Sequence, residues 1–220
     1  GKFIHLVVDE SQQEVRQRIT RLRSSLRDLG LAVSTGRVVD FRAKAYLSRD
    51  PKPGAAPLIY PCHFNNGFVE WPKSPSRKPN ALVECDCTRD LLVPNTTYVL
   101  VKRFSSKEER RRIVACIHDP RLVPGHVVGF ENHLNYFHAN GEGIHPRLAR
   151  GLAIYLNSTL VDSYFRQFNG HTQVNATDLR SLPYPTRPQL LTLGEHMEDF
   201  LPNQHEIDQL IERVLFHGSG

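Results

Sequence analysis

The sequence predicts an α+β fold with a β-rich centre between helical ends. From Leu31 to about His138, short apolar runs alternate with Gly, Pro, Asn and Asp, a pattern typical of short strands joined by turns. Both flanks instead place apolar residues every three or four positions, the spacing of amphipathic helices. Because strands and helices are segregated along the chain, the pattern favours α+β over an alternating α/β fold.

The first thirty residues predict a short strand followed by one helix. The run KFIHLVV, residues 2–8, has the apolar character of a strand. Ser11 and Glu14 have the spacing of a capping box, which predicts a helix start. Apolar residues then follow at helical spacing until Gly30, which predicts the helix end: Val15, Ile19, Leu22, Leu26 and Leu29. Five arginines occupy its other face, and a solvated face is the default interpretation.

Eight strands are predicted in the central region. The strongest pair is joined by a polar connection of hairpin length, and Asn65-Asn66-Gly67 predicts a second tight turn. The irregular segments Arg42–Ala55 and Pro72–Asn80 lack a packing pattern, and long loops of this kind often carry binding residues. The predicted strands are Leu31–Val33, Val38–Phe41, Ala56–Tyr60, Phe68–Trp71, Ala81–Glu84, Thr97–Phe104, Arg112–His118 and Val127–Phe130.

The last third of the sequence predicts helices around a polar corner. Pro146 opens a helix, and the helix after it is predicted to end at Gly170. GHTQVNATDLRSLPYP, residues 170–185, is rich in short polar side chains that favour turns, and two prolines end it. Capping boxes at Thr186–Gln189 and Asn203–Glu206 each predict a further amphipathic helix.

Charge is distributed unevenly along the chain. Residues 31–189 contain 21 Lys and Arg against 13 Asp and Glu, a net charge of +8, whereas residues 190–220 carry a net charge of −5. Blocks of opposed sign favour a central region that faces a polyanion, although a merely basic surface is the alternative. Lys and Arg bind phosphates, and Asn, Gln and Arg pair with base edges in the major groove.

Cations and amides in loops and strand ends are therefore the candidate DNA-binding residues. The segment ENHLNYFH, residues 131–138, adds amides and imidazoles, with a simple strand as the alternative interpretation. For the polar corner the alternative is a purely structural turn. The candidates are Arg37, Arg42, Lys44, Lys73, Arg77, Lys78, Lys102, Arg103, Arg110, Asn132, His133, Asn135, Thr172, Gln173 and Asn175.

Several segments, taken in order, resemble a known family. They are VSTGRVVDFR (33–42), PLIYPCHFNNGFVEWP (57–72), YVLVKRFSSKEERRR (98–112), ENHLNYFH (131–138), and LAIYLNSTLVDSYF (152–165) followed by TQ-x-N and LP-x-P. Together they resemble the C-terminal target recognition domain of adenine-specific DNA methyltransferases from restriction–modification systems, the TaqI- and PstI-like group. The matches run from about residue 30 to 185 and so cover most of the chain.

The resemblance implies a domain organisation and partners. Residues 1–30 are expected to form a linker or docking helix, residues 31–185 the DNA target recognition domain, and residues 186–220 C-terminal helices. The implied partners are double-stranded DNA and a catalytic domain elsewhere in a longer parent protein. S-adenosylmethionine is expected as the cofactor of that parent and no cofactor in this segment, in a cytoplasmic setting without a membrane.

Absent motifs support the expectation that this segment is not catalytic. The sequence has no Pro-Pro pair, no G-x-G-x-x-G, no E-x-K and no G-x-S-x-G. No run approaches the ~20 apolar residues of a membrane span. Cys85 and Cys87 are too close for the usual zinc spacing, so no structural metal is expected. The Gly1 start and Gly-Ser-Gly end suggest a segment of a longer protein.

Two other functions compete with this interpretation. The first is a specificity subunit of a type I restriction enzyme, a scaffold that ends its recognition domains in a similar way but usually carries two of them. The second is an RNA-binding module. The basic loops contain few aromatic residues on which single-stranded bases could stack, so they suit the phosphates of a duplex better.

Overall fold

The computed structural model of the protein describes residues 2–105, 110–168 and 173–217. It confirms the α+β fold, in which every helix except the short one at Asp40–Ala43 packs against the same one of two sheets. The helices are α1 Lys2–Ile19, α2 Asp40–Ala43, α3 Pro146–Leu156, α4 Thr159–Phe168, α5 Ala176–Ser181, α6 Arg187–Gly194 and α7 Gln204–Ile211. The strands are β1 Ala32–Thr35, β2 Leu47–Ser48, β3 Ala55–Ile59, β4 Phe64–Asn65, β5 Phe68–Val69, β6 Ala81–Val83, β7 Leu92–Pro94, β8 Tyr98–Lys102, β9 Ala115–His118, β10 Val127–Phe130 and β11 Leu134–His138.

One sheet has the strand order β1-β11-β8-β9-β5-β4 and the other the order β2-β6-β3-β10-β7. Alternating residues of β8 point to opposite faces, as a pleated strand requires. Val99 and Val101 pack with the helices, whereas Tyr98 and Leu100 pack with residues of the second sheet such as Ile59 and Phe130. The molecule therefore has three layers, namely helices, the first sheet and the second sheet.

The central strands largely follow the predicted positions. The strongest predicted pair forms the antiparallel hairpin β8–β9, and Val127–Phe130 is a strand over its whole predicted length. Asn66 and Gly67 both have positive φ in the tight turn between β4 and β5, as predicted for Asn-Gly. Leu134–His138 is strand β11, the simpler of its two interpretations.

Three local predictions were wrong. Residues 2–8 are helical, and helix α1 ends at Ile19 instead of Gly30. Ser24 exchanges backbone hydrogen bonds of 3.2 and 2.8 Å with Tyr184, and this tertiary pairing overrides the helical spacing of the apolar residues. Val38–Phe41 is not a strand, because only Val38 bridges to Glu131 and α2 begins at Asp40.

Helix ends on the C-terminal side agree with the sequence. Pro146 lies in the first turn of α3, and Thr186 and Asn203 accept hydrogen bonds from Gln189 and Glu206 at the starts of α6 and α7. Gly170, the predicted helix end, lies outside the described residues. The polar corner contains the short helix α5, whose first turn is stabilised by the Asp178 carboxylate bonding the Asn175 N–H at 2.8 Å.

Candidate nucleic-acid interface

Strand ends from both sheets meet at one edge of the molecule. β3 and β10 are parallel, so Tyr60 and Glu131, which follow them, lie side by side. β11 and β8 are antiparallel with Leu134 opposite Lys102, which brings His133 next to Arg103. We call this region the strand-end surface and define it as Asp40, Tyr60, Lys78, Arg103, Phe104, Glu131, Asn132 and His133.

A pocket of about 280 Å³ opens in the strand-end surface. Aromatic rings form much of its wall, with the Phe104 and His133 ring centroids 5.2 Å apart. Its lining residues are Tyr60, Pro61, Cys62, Lys78, Phe104, Glu131 and His133. The pocket thus combines apolar walls with a few charged groups, the usual character of a ligand site.

Asp40 organises one side of the pocket. Its carboxylate accepts hydrogen bonds from the Tyr60 hydroxyl at 2.6 Å and from Lys78 Nζ at 2.9 Å. Burial alone raises the pKa of Asp40, but these two hydrogen bonds outweigh it and lower the pKa below its ordinary value. The same bond raises the pKa of Lys78, so the ammonium is held charged about 5.1 Å from the Tyr60 ring centroid.

Glu131 organises the other side. It is 1% exposed, and its two oxygens accept from the His133 backbone N–H at 2.9 Å and contact His133 Nδ1 at 2.5 Å. A buried carboxylate needs hydrogen-bond donors, so His133 Nδ1 carries a proton. Arg103 completes the turn by donating through Nη1 to the Asn132 carbonyl at 2.6 Å. His133 is consequently held by its own loop while half of its side chain is exposed.

The basic loop at residues 72–80 is anchored by Asn80. The Asn80 amide donates to the Arg49 and Lys73 carbonyls at 3.0 Å each, and its oxygen accepts from the Lys73 N–H. Lys73 Nζ donates to the Cys62 carbonyl at 2.6 Å, whereas Arg77 is exposed near the loop tip. The loop is therefore irregular in backbone but fixed at its base.

A protruding aromatic lies beside the strand-end surface. Phe41 is 76% exposed on α2, and the Arg42 guanidinium lies 5.5 Å from its ring centroid. Lys44 follows in a single 3₁₀ turn and is exposed. An exposed large apolar side chain flanked by cations suits a polyanion that also offers flat apolar faces.

The remaining predicted site residues lie elsewhere. Arg37 donates to the Asp90 carbonyl at 3.3 Å. Burial lowers the pKa of His138, and the nearby Arg37 charge lowers it further. Asn135 is buried between Thr35 and the Val174 carbonyl, to which it donates at 2.9 Å, so we assign it to bracing the fold. Thr172 lies outside the described residues.

The polar corner is attached to the same strand ends through its backbone. Gln173 forms a bridge with Phe104, and the Val174 N–H donates to the Arg103 carbonyl at 2.7 Å. Asn175 is exposed at the start of α5. Through these backbone contacts, the polar corner packs behind Arg103 and Phe104 and supports them.

Lys102 and Arg110 line a separate cleft of about 940 Å³. It lies between the β4–β5 hairpin and the C-terminal helices, and Asp162 and Glu206 also line it. Cations and carboxylates therefore share this cleft, as they share the strand-end surface.

Sequence reasoning missed the residues that orient the cations. Asp40 and Glu131 are acidic and so were not candidates in a search for phosphate-binding groups, and Tyr60 and Phe104 were assigned to predicted strands. The one available signal was position, because Tyr60 and Glu131 each directly follow an apolar run.

The part of the chain that the structure describes contains little parallel pairing between strands. Its two parallel strand pairs, β3–β10 and β5–β9, lack the strand–glycine loop–helix unit that cradles nucleotide cofactors. Within the same residues, no group of three or more His, Cys, Asp or Glu is arranged to hold a metal ion. None of the described helices is long and apolar enough to cross a membrane.

The chain is similar in sequence to two type II methyltransferases, although no family model matches it. Type II methyltransferase M.PstI of Providencia stuartii is 48% identical over 213 residues, which are 97% of this chain and 42% of that protein. M.BsuBI of Bacillus subtilis is 48% identical over 221 residues, or 100% of this chain and 44% of that protein. The chain therefore spans less than half the length of these relatives.

A solved structure shares the fold. The type IIG restriction endonuclease BpuSI matches with a TM-score of 0.62 at 12% identity, over 96% of this chain and 31% of that one. At this identity the match concerns the fold alone.

Proposed function

We propose that this chain is the target recognition domain of a site-specific, adenine-specific DNA methyltransferase from a restriction–modification system. It holds duplex DNA, reads a short sequence, and presents an adenine that a separate catalytic domain flips out and methylates. The observation that carries the proposal is the strand-end surface, where cations, imidazole and aromatic rings are fixed on rigid strand ends.

The net charge and the similarity to known proteins support the same function. The net charge of +8 on residues 31–189 suits a polyanionic partner, and both curated relatives are type II methyltransferases. Duplex DNA is the proposed partner, with phosphates bound by Lys73, Arg42 and Lys44 around the strand-end surface. A type I specificity scaffold is less favoured, because neither relative is of that kind.

Catalysis and cofactor binding are assigned to the rest of the parent protein. We expect the isolated chain neither to bind S-adenosylmethionine nor to methylate DNA, because it has no Pro-Pro motif and no glycine-rich loop. Titration calorimetry tests the first point, and stoichiometric binding of the methyl donor would contradict this assignment.

The DNA-binding role is tested by the salt dependence of duplex affinity. Fluorescence anisotropy with a labelled duplex should show affinity falling steeply with salt, with a log–log slope of about −0.9 per phosphate neutralised. The double variant Arg42→Ala, Lys44→Ala should reduce that slope by about 2. Arg21→Ala, Arg23→Ala removes the same charge from exposed positions of the N-terminal segment and should change it less. Absence of duplex binding at low salt, or equal effects of both double variants, would contradict the proposal.

A further inference from the structure

We infer that the pocket of the strand-end surface reads one purine of the target sequence, with Lys78 donating to purine N7 and His133 contacting the group at position 6. Glu131 and Asp40 are positioning residues, which act through His133 and Lys78. This inference rests on the proposed function and adds to it the residues that discriminate and the class of base.

Lys78 supplies a fixed donor. Its ammonium has three N–H donors, of which the 2.9 Å bond to Asp40 uses one, and its side chain is 46% exposed. Asp40 is itself held by the Tyr60 hydroxyl, so the cation has a defined position instead of a mobile one. A cation that only neutralises phosphate does not need such support, whereas a base contact does.

His133 supplies a group whose hydrogen-bonding role is set by Glu131. Because the buried carboxylate accepts a hydrogen bond from Nδ1–H, Nε2 is the ring nitrogen left for a ligand, and no described residue bonds to it. In the neutral ring Nε2 accepts a hydrogen bond, and in the imidazolium it donates one. The ring also lies against Phe104, which fixes its plane at the pocket wall.

A purine edge matches this pair in the major groove. Adenine and guanine both offer the N7 acceptor, and beside it adenine offers an amino donor and guanine an oxygen acceptor. Lys78 therefore suits either purine, and the proton on His133 Nε2 decides between them. A pyrimidine lacks N7 and would leave the Lys78 donor without its acceptor.

The test uses the full-length methyltransferase and duplexes in which each target position is changed singly. For Lys78→Met we expect a roughly tenfold loss of discrimination in kcat/KM at one purine position. Replacing that purine by its 7-deaza analogue should lower the kcat/KM of the wild type by a similar factor. The kcat/KM of Lys78→Met should not change, because this variant already lacks the donor to N7. Adenine and guanine targets form separate arms of the experiment.

Glu131→Gln tests the positioning role. A glutamine amide donates to Nδ1 and so moves the ring proton to Nε2, which should alter the ratio of adenine to guanine at the same position by roughly tenfold. Glu84→Gln is the matched control, since Glu84 pairs with the exposed His126 at 3.2 Å outside the pocket. If thermal unfolding shows that Glu131→Gln does not fold, the Lys78→Met variant and the 7-deaza duplexes still test whether the pocket reads a purine.

Three results would overturn the inference. The first is an equal loss of kcat/KM on all sequences, which indicates a phosphate contact. The others are that the two variants change specificity at different positions, or that Glu84→Gln changes specificity as much as Glu131→Gln does. If the wild type binds and discriminates while the variants keep its specificity, the pocket assignment fails and the proposed function stands. If the isolated wild-type chain shows no salt-dependent duplex binding, the proposed function itself fails.

Discussion

Buried histidines illustrate how single residues are held in one protonation state. His63 Nδ1 accepts from the Tyr60 N–H at 2.9 Å, and its Nε2 lies 2.9 Å from the Asn80 oxygen, so the neutral ring satisfies both neighbours. His118 Nε2 lies 2.7 Å from the Asn95 oxygen, while Nδ1 is buried without a partner among the described residues. Burial lowers the pKa of both rings, and for His118 to about 4, against a smaller opposing effect of Asp119.

We expect this lowered pKa to make the fold less stable in mild acid. The His118 pKa is 6.5 when unfolded and about 4 when folded, so between these values the unfolded chain binds more protons. The His118 contribution is complete above pH ~6.5 and is lost as the pH falls towards about 4. The loss of this contribution should reduce the free energy of unfolding by about 2 kcal/mol between pH 7 and pH 5.

Urea unfolding at both pH values measures this contribution. His118→Gln retains an amide that can bond to Asn95 and should show a smaller loss between the two pH values than the wild type. An equal loss in both proteins would assign the acid sensitivity to other groups, of which His63 is the first candidate.

At the scale of elements, the corner between α3 and α4 depends on one buried amide. Asn157 donates to the Ala115 and Ala153 carbonyls and accepts from the Ala115 N–H, so its side chain pairs with β9 as a neighbouring strand would. The Ser158 hydroxyl donates to the Tyr155 carbonyl at 2.7 Å and ends α3. This is the physical role of the Asn-Ser pair within LAIYLNSTLVDSYF.

The packing of α3 against α6 depends on Gly151. A Cβ added there would lie 1.8 Å from the Leu190 carbonyl oxygen. Alanine favours a helix over glycine by about 1 kcal/mol, but overpacking costs roughly 1–3 kcal/mol and backbone cannot yield easily. We therefore expect Gly151→Ala to lower the free energy of unfolding by about 2 kcal/mol in urea titrations. Gln209→Ala, at an exposed position of α7, should stay within about 0.5 kcal/mol of the wild type, and a stabilised Gly151→Ala would contradict this packing.

The exposed Phe41 on α2 provides a second prediction at this scale. If the ring contacts bases of the duplex, Phe41→Ala should weaken DNA binding by roughly five- to tenfold, about 1 kcal/mol, with little change in thermal stability. Phe200→Ala is the matched control, because Phe200 is 66% exposed in the acidic C-terminal region. Anisotropy titrations of both variants measure the difference, and equal affinities would remove Phe41 from the interface.

For the whole molecule, the sequence predicted local order better than tertiary arrangement. The β8–β9 hairpin, the Asn-Gly turn and the caps of α6 and α7 depend on neighbouring residues, and all were predicted. The end of α1 and the helix at Asp40 depend on pairing with Tyr184 and on contacts of Asp40 with Tyr60 and Lys78, which sequence spacing does not reveal. The pocket brings together residues from positions 60 to 133, and sequence spacing did not predict it either.

The polar corner and the basic loop at residues 72–80 are held in different ways, and this difference predicts which residues read bases. The polar corner is held behind Arg103 through the Val174 N–H and the Asn135 amide. A segment held through its backbone and by a buried amide is braced within the fold and is a poor candidate for base readout. Arg77, by contrast, is exposed on a loop whose base alone is fixed by Asn80.

We therefore expect opposite outcomes from Arg77→Ala and Gln173→Ala when the full-length enzyme is profiled on single-base variants of its site. Arg77→Ala should relax one position, because an arginine pairing with guanine contributes roughly 1–3 kcal/mol of discrimination. Gln173→Ala should lower methylation of all sites alike or lower the melting temperature, since the bridge of Gln173 to Phe104 supports the strand ends. If Gln173→Ala alone relaxes a single position, the corner reads bases and the loop supports it, the reverse of the arrangement argued from the contacts.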